Sequence, residues 1–383
     1  MAQFKTPTYS YIGYGALKEA APKIAECGKK ALIVTGKHVV LSEMMKHLET
    51  LLAEIGIEYH VFDGITGEPT NVMIEAGVEV YKSESCDFCI GIGGGSPIDS
   101  AKAIAAMTTN EGKIADYNGK VIANPIPPVV AIPTTSGTGS ECTQFTVITD
   151  VEKDIKMLLK GDYLVPMIAV LEPKFTYSAP KGITASTGMD ALTHAIEAYT
   201  SRKALPVTDT LAVSAVKRIM KYLPAAYTDG NDEKARYEMA IASYEAGICI
   251  NNSTVTLVHG MSRPIGALFH VAHGISNAML LKTCLEFALD GAYEKFGNLG
   301  REVGAAAKED SDKVAAEKFL GAIEELCKKI SIPTLEEYGI PKDEFFGRME
   351  KMAHDAVASG SPGNTVKVVT EADCIEIYKK LWK

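Results

Sequence analysis

Apolar positions in the first half of the chain fall in short runs that end at Gly, Pro or Thr. They are "KALIVTG" (30–36), "IEYHVFDG" (57–64), "DFCIGIGGG" (87–95), "PVVAIPTT" (128–135) and "MIAVLEP" (167–173). Runs of that length with such terminators predict strands. Between them, "VVLSEMMKHLETLLAEIG" and "TNVMIEAGVEVYKSE" space their apolar residues at the helical period. Strand–helix alternation predicts βαβ units, a mostly parallel sheet, and ligands at the carboxyl ends of its strands. After "LEPKFTYSAPKGITAS" the strand signals stop. Helical periodicity takes over at 188–200, 206–222, 231–250, roughly 252–268, 273–288 and 313–330.

The pattern therefore predicts an α/β nucleotide-binding domain over 1–180 and an all-α domain over 181–383. A chain of 383 residues suits two cores better than one. A net charge of -9 argues against broad nucleic-acid or anionic-membrane binding. "MAQFKTPTYSYIGYG" lacks the basic and apolar segments of a signal peptide. No apolar run approaches the roughly 18–20 residues that span a bilayer. A cytoplasmic protein is expected. Cys86 and Cys89 form a lone C-x-x-C within a strand-like run, so buried structural thiols are expected rather than half a zinc site.

Two loops suggest a phosphate cradle. "GIGGGSPIDSAKAIA" follows a strand and opens a helix, with Gly93, Gly94 and Gly95 letting backbone approach a ligand. Ser96 reads as the N-cap, Pro97 as the first helical residue and Asp99 as the end of a capping box. Free amides at that helix start suit a pyrophosphate. The motif lacks the P-loop lysine and the usual dinucleotide glycine spacing, so a purely structural turn stays open. The second loop, "IPTTSGTGSE", offers the hydroxyls of Thr134, Thr135 and Thr138; alone it also reads as a polar surface loop. Two such loops after two strands favour nucleotide binding.

"TASTGMDALTHAIEAYT" puts Asp190 and His194 one helical turn apart on one face. "LVHGMSRPIGALFHVAHGIS" adds His259 and His273. One carboxylate with three imidazoles suits a divalent transition metal such as Fe(II) or Zn(II), acting as a Lewis acid on a carbonyl or alkoxide. Each residue alone also reads as a satisfied core or surface group.

These segments, with "YGAL" and "PVTDTLA", resemble the iron-containing (group III) alcohol dehydrogenases over nearly the whole chain. The resemblance implies a dehydroquinate synthase-like fold, a parallel-sheet nucleotide domain followed by a helical metal domain. It implies metal ligation by Asp190, His194, His259 and His273. It assigns phosphate binding to Gly93, Gly94, Gly95 and Ser96, cofactor contacts to Thr134, Thr135 and Thr138, and a place near the cofactor to Lys156. It implies hydride transfer between NAD(P) and a small alcohol or aldehyde, in a homodimer or larger homo-oligomer.

The chain departs from the family at two points. Many relatives carry an acid at the end of the second strand, where it meets the ribose 2′-OH of NAD. Here that place is Gly36, followed by Lys37, which points to tolerance of NADP. Many relatives also carry a second histidine four residues after the one matching His259. Here it is Arg263, a poor proton donor because it stays charged, which leaves His270 as the nearest proton shuttle. Arg263 suggests a substrate with a carboxylate or sulfonate head group; pairing with Asp190, Glu197 or a helix end is the competing reading. A lyase that retains NAD, as in the wider superfamily, and a non-catalytic metal or nucleotide binder are the other classes.

Overall fold

The computed structural model describes residues 3–382; Met1, Ala2 and Lys383, the outer ends of the segments read above, lie outside the described residues. The chain divides into two compact units, Met1–Ser178 and Ala179–Lys383.

In the first unit the strands are β1 (Tyr9–Ile12), β2 (Lys30–Val34), β3 (Glu58–Phe62), β4 (Phe88–Gly93), β5 (Val129–Pro133), β6 (Phe145–Asp150), β7 (Ile155–Lys160) and β8 (Ile168–Leu171). Its helices are α1 (Ala16–Ala25), α2 (Lys37–Val40), α3 (Glu43–Glu54), α4 (Asn71–Ser83) and α5 (Gly95–Met107). Six strands form one parallel sheet in the order β1-β8-β5-β4-β2-β3. Helices cover both faces, so β4, β5 and β8 are buried throughout, as their unbroken apolar runs require. Ile33, Ile90 and Val130 pack with α1 and α3, whereas Leu32, Val34 and Cys89 pack with α4 and α5. The chain leaves β2 toward β3 and returns on the other side of β2 as β4. That reversal creates a switch point at the carboxyl ends of β2 and β4, where such sheets bind ligands. Thr35 closes it, donating its Oγ1 hydrogen to the Ile92 carbonyl at 2.7 Å.

Two elements escape the pattern. β1 is an edge strand of four residues with alternating exposure. β6 and β7 form a separate antiparallel hairpin. Cys86 and Cys89 are buried free thiols in the core, with burial pushing Cys86 up to about 11.

The second unit holds α6 (Lys181–Thr200), α7 (Pro206–Thr228), α8 (Glu233–Asn252), α9 (Leu257–Phe269), α10 (His273–Ala288), α11 (Tyr293–Glu302), α12 (Asp312–Lys329), α13 (Lys342–Ala358) and α14 (Glu371–Lys380). Among the described residues it contains no strand. α6 begins seven residues before the periodicity predicts, because its first turns, "KGITAST", are rich in Gly and β-branched residues with weak helix preference. From Thr184 onward α6 is buried nearly all round, the mark of a central helix. No helix among the described residues is long and apolar enough to cross a membrane.

A buried acid in the first unit makes a pH prediction. Glu141, 2% exposed, sits in the turn after β5. Burial raises its carboxyl from 4.5 to about 7, against the opposing pull of its own backbone N–H and of Lys102. A carboxyl raised on folding stabilises below its unfolded value, and the benefit is lost as pH rises through the folded value. Tm should therefore carry a decline between about pH 4.5 and about pH 7 worth on the order of 3 kcal/mol. Glu141→Gln should flatten that decline, and parallel Tm–pH curves for the two proteins would refute the assignment.

Candidate metal centre and nucleotide cradle

Asp190, on α6, is 3% exposed. Its Oδ1 lies 3.8 Å from His194 Nε2, 3.6 Å from His259 Nε2 and 3.6 Å from His273 Nε2. His194 comes from the next turn of the same helix, His259 from the first turn of α9 and His273 from the first residue of α10. Ligand atoms about 2.1 Å from a tetrahedral ion stand roughly 3.4 Å apart. One ligand atom each from Asp190, His259 and His273 lies within 4.8 Å of the others, a set that one cation can join. His194 falls outside that set, its Nε2 standing 3.8 Å from Asp190 Oδ1. His194 and His259 stack at 4.7 Å between centroids. The His273 side chain is 42% exposed, which leaves the cluster one open side.

The donor count supports the same reading. Asn277 Nδ2 lies 2.7 Å from Asp190 Oδ1, 3.1 Å from His259 Nε2 and 3.3 Å from His273 Nε2. One amide has two hydrogens for a carboxylate oxygen and two ring nitrogens whose roles depend on the tautomer, and its own Oδ1 is buried without a hydrogen-bond partner. A buried carboxylate with imidazole nitrogens converging on it is a donor set that suits a divalent cation. Burial would raise the Asp190 carboxyl, but the three imidazoles outweigh it and hold the group well below its usual range. Behind His259 stands Glu197, fully buried, with Oε2 2.5 Å from Nδ1. Burial disfavours a charged His259 ring, but Glu197 and Asp190 outweigh it and raise the ring to about 9 in the absence of a cation. Metal binding would displace the Nε2 proton and leave the one on Nδ1.

Arg263, half-buried on α9, donates to Ser361 Oγ at 3.0 Å. Its hydrogen-bond partner is thus a neutral hydroxyl; burial lowers the pKa of the guanidinium, and the charge of Glu197 opposes that shift. His270 ends α9 in the left-handed conformation at φ 54° and is exposed. No described hydrogen bond or ion pair joins it to the four ligand candidates.

In the first unit, the expected capping box does not form. α5 starts at Gly95 with Gly94 as N-cap, and no side chain caps it, so Ser96 lies inside the first turn. The amides at that end stay available to a ligand. Gly93 has φ 149°, and a Cβ there would stand 2.6 Å from Pro97 Cγ, which requires glycine. A Cβ on Gly95 would stand 2.9 Å from Thr138 Cγ2, so the two loops abut. Thr134 ties them by donating its N–H to Gly93 O at 2.8 Å. Thr135 is half-buried beside it, and Thr138 Oγ1 accepts from Ser140 N at 3.2 Å.

Asp99, instead of capping, accepts from Ser140 Oγ and from Val147 N. Beside it, the fully buried Lys102 donates to Ser140 Oγ, Thr143 Oγ1 and Phe145 O. These bonds brace the second loop and β6 against α5. Lys156 stands on β7, ion-paired with Glu68 at 2.6 Å.

Gly36 is the N-cap of α2 at the end of β2, and Lys37 beside it is exposed. A Cβ on Gly36 would stand 2.9 Å from the backbone oxygen of Ile65. Here the local backbone leaves no room for the acid that the family often carries.

The comparisons with known proteins agree with this geometry. Residues 7–173 match the family model "Iron-containing alcohol dehydrogenase", and residues 184–382 match "Fe-containing alcohol dehydrogenase family, C-terminal". The chain belongs to the iron-containing alcohol dehydrogenase family. It is 37% identical over 382 residues to the NAD-dependent methanol dehydrogenase of Bacillus methanolicus, covering 99% of each chain. It superposes on a crystal structure of 1,3-propanediol oxidoreductase with TM-score 0.96 and 34% identity, covering 100% of both chains. It also resembles sulfoacetaldehyde reductase from Bifidobacterium kashiwanohense in complex with NAD+, with TM-score 0.88 and 28% identity over 100% of this chain and 98% of that one.

Family membership makes the chain an oxidoreductase that uses iron and a nicotinamide nucleotide. Asn277 escaped the sequence reading, although a polar residue one turn beyond His273 is a legible signal. Lys102 escaped because a lysine in a helix ordinarily reads as surface.

Close packing of α10 on α6 sets the distance between His273 and Asp190. A Cβ on Gly274 would stand 2.3 Å from Ser186 O, a backbone atom that cannot swing away, and 3.4 Å from Asp190 Cβ. Gly274→Ala should push the two helices apart, lower stability by about 1–3 kcal/mol and weaken metal binding. Wild-type Tm and wild-type metal content in that variant would show that the contact is not limiting.

Proposed function

We propose that the chain interconverts a small primary alcohol and its aldehyde, with residues 1–180 holding the nicotinamide nucleotide and residues 181–383 forming the metal-binding catalytic part. Asp190, His194, His259 and His273 hold one divalent iron, or zinc in its place. The observation that carries this assignment is the convergence of three imidazole Nε2 atoms on Asp190 Oδ1 at 3.6–3.8 Å. When bound, the metal supplies Lewis-acid polarisation of the substrate oxygen, and the nicotinamide supplies or accepts hydride. Asp190 keeps its charge throughout and offsets that of the cation. The exposed flank of His273 is the side from which substrate approaches. His270, exposed at the end of α9, exchanges the alcohol proton with solvent. Gly93, Gly94, Gly95 and Ser96 present backbone to the pyrophosphate; Thr134, Thr135, Thr138 and Lys156 line the rest of the nucleotide site. His259→Ala should abolish metal content and turnover together. Retention of both would overturn the ligand set.

The substrate carries an anionic head group, held by Arg263. Burial lowers the pKa of the Arg263 guanidinium despite the charge of Glu197, and its hydrogen-bond partner is a neutral hydroxyl, so an anion that joins it directly stabilises it. The resemblance to a sulfoacetaldehyde reductase supports the same class. A bidentate Arg–anion contact contributes about 1.5–3 kcal/mol. Arg263→Lys should therefore lower kcat/KM for sulfoacetaldehyde or succinic semialdehyde by roughly 10- to 100-fold and spare propanal and butanal. Equal losses on both sets, with wild type preferring the neutral aldehydes, would exclude this role.

NADPH is accepted alongside NADH, because Gly36 carries no charge to repel a 2′-phosphate and Lys37 stands exposed beside it. Gly36→Asp is a poor test, since its Cβ would strain the backbone for steric reasons alone. Lys37→Glu should move the preference toward NADH. A wild-type enzyme tenfold better with NADH, about 1.4 kcal/mol, would refute the reading.

A further inference from the structure

Glu197 is fully buried on α6, one turn beyond His194, with no water-facing surface. Its Oε1 accepts from Thr256 Oγ1 at 2.8 Å and from the backbone N–H of Val258 at 2.7 Å. Its Oε2 stands 2.5 Å from His259 Nδ1. Three donors from the start of α9 thus close on one acid.

We infer that Glu197 is the residue that fixes the tautomer of His259, keeping the hydrogen on Nδ1 and the lone pair on Nε2. This rests on the metal reading above. An ionised carboxylate can only accept, so the ring nitrogen facing it must donate. A neutral ring carrying its hydrogen on Nδ1 presents a free lone pair at Nε2, the atom turned toward Asp190 Oδ1. The Asn277 Nδ2, 3.1 Å from that same Nε2, is a neighbour compatible with a lone pair there. Carboxylates behind metal-bound histidines orient the ring and raise its basicity. Glu197 touches neither substrate nor cofactor, and acts by positioning.

The surroundings make Glu197→Gln a sharp replacement. The Oε1 position faces a backbone N–H, which can never accept, so an oxygen must stay there. The substituted amide is then forced to turn its NH2 toward His259 Nδ1. That nitrogen must accept, the single ring hydrogen moves to Nε2, and an N–H points into the ligand cluster. Size and burial are unchanged, while the ligand atom is lost. Aspartate, shorter but acceptor-only, preserves the tautomer.

The test strips metal from wild type, Glu197→Gln, Glu197→Asp and His259→Ala, then titrates Zn(II) or Co(II) against a competing chelator. Tm and NADH binding report folding. Glu197→Gln should fold, bind NADH and lose roughly 10- to 100-fold in metal affinity, with Glu197→Asp recovering most of it. Long-range 1H–15N spectra of zinc-loaded wild type should place the His259 hydrogen on Nδ1. Wild-type metal affinity in Glu197→Gln overturns the inference. So does a ring hydrogen on Nε2 in wild type, a result that stands even if the glutamine variant fails to fold. If wild type binds no metal, or His259→Ala keeps it, the metal reading itself has failed. A tight wild type, a metal-free His259→Ala and an unchanged Glu197→Gln fail only the tautomer assignment.

Discussion

The Asp190 carboxylate lies in a helix that meets almost no solvent, and three imidazole nitrogens converge on one of its oxygens. A buried negative charge is costly unless positive charge or hydrogen-bond donors reach it. The Asn277 amide meets part of that demand, donating to Asp190 Oδ1 at 2.7 Å, and the divalent cation proposed for the site would meet the rest. Much of the second unit serves this point. α6 carries both Asp190 and His194. α10 approaches α6 closely enough that only glycine fits at 274, and so delivers His273. The first turn of α9 is anchored through Thr256, Val258 and His259 to Glu197, back on α6.

The first unit solves the converse problem, how to leave donors unsatisfied without collapse. A helix start without a side-chain cap exposes amides that favour an anion. The loop beside it would sag into that space if it were free. Lys102 prevents this: buried completely, it draws Ser140, Thr143 and the Phe145 carbonyl together, with Asp99 beside it at 3.6 Å. Here the buried cation belongs to the chain itself, and its partners are loop oxygens rather than substrate.

The parallel sheet was legible because burial on both faces forces unbroken apolar runs in β2, β4, β5 and β8, and those runs are unlike helix. β1 was not, since an edge strand of four residues has one wet face and little pattern. The β6–β7 hairpin stayed hidden for a related reason, its two strands alternating with charged and hydroxyl residues. The Ser96–Asp99 capping box failed although its spacing was correct. Ser140, Val147 and Lys102, distant in sequence, gather around Asp99 and use the carboxylate first. Gly36 shows the same limit: a Cβ there would press on the backbone of Ile65, nearly thirty residues on, so the missing acid was visible and the tight packing was not.

By itself the sequence determined which residue types were present for chemistry and which helical face or loop carried them. Periodicity is a local property, and a spacing of four in a helix places two side chains together wherever that helix goes. Asp190 with His194, the glycine run before α5 and the alternation of strand and helix are of this kind. Tertiary structure decided what those groups meet. It paired Arg263 with Ser361, left His270 in solvent, set Asn277 among the candidate ligands and closed Glu197 behind His259. Such contacts join residues tens to nearly a hundred positions apart. Their energies depend on packing and burial, which no local pattern encodes.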